Sequence, residues 1–399
     1  MRAMATRGHF LTLSFLAASL SACATPAGVG ARIYVVQRES ESLAIYDAAA
    51  GKILPAAIQK LGNMRHATMV FSKDLRWGYL ATRNGLLSRI DLATGEQAGA
   101  VQTSENSIGI AISQDGRYVA VAEYTPGGVT IVDAVSLKIL KQIPATVQAD
   151  GREHRSRTTG LVDTAGNRFV FSLMDGNEIW ILDASREDFP VEHRFQTAAP
   201  NPFDATLTPE GRYYLAGHFE SDRISLLDLW HPEAGVREVS VRDPRLDFDR
   251  TAPIKMPHME AWAISGDDVY VPLVGEKRLA VLDRRMWVFQ RSVPVRGNPV
   301  YVTMSPTQRE LWVTFSGAED DRFIEVIDTE TGKVVHTIEA GRKIYHLVFS
   351  PRGDEVYVSA NQDDRFLVFD ASSKRLKREF HLKSPSGIFG PWRAYQIGF

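Results

Sequence analysis

A single cysteine, Cys23, stands in a chain of 399 residues, so no internal disulfide can form and the fold must be held by packing. The same scarcity excludes a Cys-x-x-Cys-His haem attachment and a thiolate zinc site. An excess of charge of either sign is missing too. The formal net charge is -2 and no basic run alternates with aromatics, which argues against nucleic acid as a partner. No Gly-rich phosphate loop, Gly-x-Ser-x-Gly elbow or His-Glu-x-x-His helix appears, and no nicotinamide or flavin motif either. Hydrolase readings are correspondingly weak. The apolar run from Phe10 to Leu20 is too short to span a bilayer, which takes roughly 20 residues.

That run does fit a leader. A basic start (Arg2, Arg7) precedes it, and Leu20-Ser21-Ala22-Cys23 follows, small residues ahead of a cysteine as in a bacterial lipobox. Residues 1–22 are thus read as a lipoprotein signal peptide, with Cys23 as the lipidated first residue of a mature chain outside the cytoplasm. An ordinary secretory signal cut near Ala24 is the alternative. Residues 23–31, rich in Ala, Gly and Pro, form a short tether.

From Arg32 onward, short Val/Ile/Leu/Tyr segments alternate with Gly, Asp and Asn turns, which predicts an all-β domain over 32–399. An apolar strand ending in Asp recurs at Asp47, Asp91, Asp133, Asp183, Asp228, Asp283, Asp328 and Asp370. Eight copies at about 45 residues are the period of four-stranded propeller blades. A second landmark, a small or polar residue and a turn, starts at Ser72, Ser113, Asp163, Thr208, Ser265, Ser305 and Ser350. There are seven of these. The eighth inner strand must then come from the segment beginning Pro385-Ser386-Gly387, so the N- and C-terminal strands share one blade and close an eight-bladed β-propeller. Extra residues at Thr146–Arg157 and Val241–Met256 fall just before inner strands. Trp77, Trp180 and Trp312 read as blade packing, and His218, His231 and His336 as surface.

Loops entering the inner strands of a propeller meet on one face around the axis. Those positions hold Arg65, His66, Glu105, Asn106, Glu153, His154, Arg155, Arg157, Asn201, Asp204, His258, Glu260, Asn298, Tyr301, Arg342, Tyr345, His346 and, from the shared blade, Arg393. Histidine is the usual proximal ligand of haem iron, and arginine forks pair with carboxylates. A tetrapyrrole with acid side chains needs both. Each residue also has a plainer reading: His66 and His346 as packed residues, Arg155 and Arg157 as partners of Glu153 or solvated, and Asp204 as a turn residue bonding backbone.

Three segments carry a resemblance to the NirF family of haem d1 biosynthesis, whose fold is similar to the d1-haem domain of cytochrome cd1 nitrite reductase. Arg65-His66-Ala67-Thr68-Met69-Val70-Phe71-Ser72, followed by Ala81 to Asp91, resembles the region that supplies the proximal iron ligand, which implies His66 on iron with Arg65 beside it. Asn201-Pro202-Phe203-Asp204 lies where the reductase has one of two distal histidines, so Asp replaces His there. Met256-Pro257-His258 is similar to the stretch that carries the other. The loss of one distal histidine, and of any cytochrome c domain, puts nitrite reduction in doubt.

The resemblance implies a periplasmic, lipid-anchored protein that binds dihydro-haem d1 and takes part in its dehydrogenation, propionate to acrylate, to haem d1. Asp204 and His258 would be the distal pair, one or the other serving as the base, with Arg155, Arg157, Arg393 and Tyr345 holding the pigment. Nitrite reductase and other d1 maturation proteins are the implied partners. A non-catalytic carrier that delivers haem d1 uses the same pocket, and a protein-interaction scaffold needs no pigment at all.

Overall fold

The computed structural model describes residues 28–398 apart from 56–57, 150 and 247–255, so the calls on the signal peptide and on Cys23 lie outside the described residues. Eight antiparallel sheets follow one another around a ring. Blade 1 is made of Pro385–Phe389, Arg32–Gln37, Ser42–Asp47 and Lys52–Ile53, from inside to outside. Blades 2 to 8 begin with the inner strands Thr68–Phe71, Asn106–Ile112, Thr158–Thr164, Pro202–Leu207, Ala263–Ser265, Asn298–Met304 and Ile344–Phe349. The shared blade is present: Tyr34 pairs with Phe389 and Gln37 with Pro385.

Both sequence landmarks have a physical cause. Each of the eight aspartates ends the third strand of its blade and accepts backbone N–H groups from the turn that follows, as when Asp47 caps Ala50 at 2.9 Å and Asp183 caps Ser185 at 2.8 Å. The hydroxyls of Ser72, Ser113, Thr208, Ser305 and Ser350 close the first turn by accepting from the N–H five residues on, at 2.9 to 3.2 Å. Strand by strand, apolar side chains fill the gaps between neighbouring blades, and blade 8 packs on blade 1 through Tyr357, Phe366, Val368, Tyr46 and Ile388. Trp180 and Trp312 are buried, whereas Trp77 is partly covered and lies under Arg76 and Arg89 at 4.7 and 4.5 Å.

The first insertion folds as a hairpin, Thr146–Ala149 against Arg152–Arg155. The second ends in Met256–Pro257, which pairs with Val274 and Leu273 of blade 6. Below the ring, the chain after Phe389 turns through Pro391–Tyr395 and runs under half of the blades. The Tyr395 hydroxyl donates to Lys73 O at 3.2 Å, the Gly398 N–H donates to Asp163 Oδ1 at 3.1 Å, and Ile397 packs on blades 4 and 5.

Candidate functional site

His66 stands in the turn before the inner strand of blade 2, in the left-handed region at φ 52°. It keeps a water-facing surface. Nevertheless the protein around it, then Arg83, Arg38 and Arg65, push its imidazole below the usual range. A neutral imidazole keeps the lone pair that a metal needs.

Arg38 and Arg83 were not legible as site residues. Both follow the second strand of a blade, and that turn opens on the same face as the turns before the inner strands. The Arg38 guanidinium lies over the Tyr345 ring at 4.0 Å, and that of Arg83 over Tyr124 at 4.8 Å. Arg38, Arg65 and Arg83 pair with no carboxylate among the described residues, and Arg38 Nε and Arg83 Nη1 are buried without a hydrogen-bond partner there. Their signal in the sequence is a cation within two residues of the end of the second strand: Gln37-Arg38 and Ala81-Thr82-Arg83.

The arginines singled out from the sequence behave differently. Arg157 is committed to Asp175, whose carboxylate accepts from Nη2 at 2.5 Å and from Nε at 3.0 and 3.1 Å. Its Nη1 donates to Tyr124 Oη at 3.0 Å. Burial pushes the Asp175 carboxyl up, but the Arg157 bonds override this and leave it below the carboxylate range. Arg155 donates to Gly127 O at 2.9 Å and faces buried Glu123 at 3.9 Å. So Glu153 pairs with neither arginine, and both cations are already engaged by other carboxylates.

Asp204 and His258 meet. Asp204 lies within the inner strand of blade 5 rather than in a turn, and its Oδ2 is 3.4 Å from His258 Nε2, with both side chains buried. Nδ1 of His258 is 2.5 Å from Val300 O. A carbonyl only accepts, so Nδ1 carries the hydrogen and Nε2 faces the carboxylate. Rings then continue around the wall, His258 to Tyr301 at 5.0 Å, Tyr301 to His346 at 5.1 Å and His346 to Phe389 at 5.9 Å. This wall belongs to blades 5 to 8 and 1. The His66 arc belongs to blades 8 and 1 to 4, and blade 6 is diametrically opposite blade 2.

Two sequence calls need correction. Arg393 is not at the mouth: it follows the inner strand Pro385–Phe389 and sits at the other end, beside the turns that hold Lys73, Ser113 and Gln114. The closing strand enters the face at Pro385, not after it. His218 is not on the surface but fully buried, with Nδ1 2.7 Å from Pro200 O and Nε2 2.7 Å from Ser225 Oγ. It pins the loop leading to Asp204. His231 and His336 are exposed, as read. Arg342 pairs with Asp363 at 2.7 Å.

Residues 29–394 match the family model described as the Cytochrome D1 heme domain. The chain is similar to Protein NirF of Pseudomonas aeruginosa, 44% identical over 91% of this chain and 92% of that protein, and to Protein NirF of Stutzerimonas stutzeri, 39% identical over 95% and 96%. In fold it is similar to a solved dihydro-heme d1 dehydrogenase, NirN, in complex with DHE, with a TM-score of 0.79, 22% identity, and coverage of 92% of this chain and 77% of that one. The chain therefore belongs to the NirF family, within the family of cytochrome D1 heme domains.

Proposed function

We propose that the protein binds a late d1-type tetrapyrrole, dihydro-haem d1, in the mouth of the propeller and takes part in its dehydrogenation to haem d1. The observation that carries this reading is the opposition of His66, ringed by arginines that pair with no carboxylate among the described residues, to the buried Asp204–His258 pair across the axis. In this reading His66 ligates the iron, and Arg38, Arg65 and Arg83 take the carboxylates of the pigment. Similarity to a dihydro-heme d1 dehydrogenase supports the reaction class.

The reaction removes two hydrogens from adjacent carbons of a propionate and leaves an acrylate. One proton goes to the Asp204–His258 pair, where Nε2 or the carboxylate is the accepting atom. The two electrons would pass by way of the macrocycle to an external oxidant, and the second proton goes to solvent. Val300 O fixes the tautomer of His258, so its accepting nitrogen is turned toward Asp204 and the cavity.

The place of action in this reading is the periplasm, with the chain tethered through a lipid on Cys23 and nitrite reductase as a downstream recipient. The Leu20-Ser21-Ala22-Cys23 spacing supports it. Incubating purified protein with dihydro-haem d1 and a chemical oxidant tests the chemistry. Loss of two hydrogens by mass, abolished in Asp204→Asn, is expected. If the mass stays constant while pigment passes to the apo reductase, the protein is a carrier.

A further inference from the structure

Among the groups of the channel, His346 has no part in the reading above. It is the third residue of the inner strand of blade 8, partly open to water, between the rings of Tyr301 and Phe389. Ile388 N–H donates to its Nδ1 at 3.2 Å. An accepting Nδ1 leaves the hydrogen of a neutral ring on Nε2, and no described residue accepts it. Burial, then Arg393, hold the imidazole down at about 4, so the ring stays neutral at working pH. Such a ring is a donor of fixed direction that does not change its protonation.

Positive charge comes from below. Arg393, at the lower end of the channel, has its guanidinium 5.2 Å from the centre of the Phe389 ring, against which His346 also packs. A fixed N–H donor and a guanidinium between aromatic walls are the chemistry that recognises a carboxylate. A phosphate is disfavoured, because one neutral donor and one arginine leave much of its charge unmatched.

We propose that His346 and Arg393 form a carboxylate seat on the channel wall, His346 level with the Asp204–His258 pair and Arg393 below it, which takes the end of an acid side chain lying beside that pair. Tyr301 touches both His258 and His346, so the pair and the seat share one wall. Seating the carboxylate there selects which side chain meets the base: His346 is a specificity-determining residue, and it is not itself a proton acceptor. The inference rests on the mouth being a tetrapyrrole site, and the test separates the two.

Whole protein is titrated with propionate while the histidine side-chain 1H–15N resonances are recorded near neutral pH. The Nε2–H signal of His346 moves in the wild type and in Arg393→Lys, with weaker binding in the latter. No movement at any propionate concentration overturns the seat. In parallel, absorption titrations compare dihydro-haem d1 with its carboxylate methyl esters. Wild type prefers the free acid by about tenfold, His346→Leu loses that preference, and His346→Gln, which keeps a donor in reach, recovers most of it. An acid-to-ester preference unchanged in a folded His346→Leu, checked by circular dichroism, also overturns the seat. If the wild type binds no pigment in either form, the tetrapyrrole reading falls, and the propionate titration still decides on the seat.

Discussion

At the level of single residues, His66 occupies a backbone region that costs a non-glycine residue roughly 1 kcal/mol. His66→Gly should relieve that strain, raising stability by up to about 1 kcal/mol in urea unfolding, while removing the absorption change on adding dihydro-haem d1. A variant that keeps the spectral change would end the ligand assignment. Arg38→Leu with Arg83→Leu should weaken pigment binding by roughly 10–100-fold, because two unpaired cations are lost. Arg157→Leu instead strands Asp175 and should act mainly on stability, by about 1–3 kcal/mol. Comparing dissociation constants and melting points across these variants checks both.

His346 also makes stability depend on pH. Its folded value, about 4, lies below the roughly 6.5 of an unfolded histidine, so the unfolded chain binds the proton more readily between those values. Stability should therefore fall as pH drops from about 6.5 to 4, by at most about 3 kcal/mol from this group, and level off below. His66 and His218, both pushed down mainly by burial, add in the same direction. Urea midpoints at several pH values should show a shallower decline in His346→Gln.

Among the elements, the aspartate-ended strand is the unit that made the fold readable. The residue recurs because the turn after each third strand needs an acceptor for its N–H groups, and a carboxylate two or three residues earlier supplies it. Asp183→Ala, which also releases the Ser185 hydroxyl at 2.6 Å, should cost about 1 kcal/mol by denaturant unfolding without touching pigment binding. Loops entering inner strands were legible for the same reason, since they precede a fixed landmark, and so His66 and His258 could be placed, as could Asp204 near the start of the strand that follows. The turns after second strands carry no such fixed landmark, and neither does the end of the second strand of blade 3, so Arg38, Arg83 and Tyr124 were not legible. Arg393 was assigned to the wrong end because the closing strand lacks the Ser-and-turn signal that gives a direction. His218 looked like surface because a histidine at a strand end carries no sign of its two partners, which are Pro200 O and Ser225 Oγ.

For the molecule as a whole, closure depends on one strand and the tail behind it. Truncating the chain after Gly390 removes Trp392, Ala394 and Ile397 from their packing against blades 8, 1, 2, 4 and 5 and should cost about 2–4 kcal/mol, seen as a lower melting point with the ring intact. Truncating after Ser384 also removes the inner strand of blade 1 and opens an edge on Arg32–Gln37, so cooperative unfolding should be lost and aggregation appear.

Pairing of Tyr34 with Phe389 joins positions separated by nearly the full length of the polypeptide. During synthesis the first blade must wait, unfinished, until the segment after residue 384 has emerged. A nascent or prematurely stopped chain consequently has neither a closed ring nor a base to its cavity, and so only a finished product can be loaded with pigment.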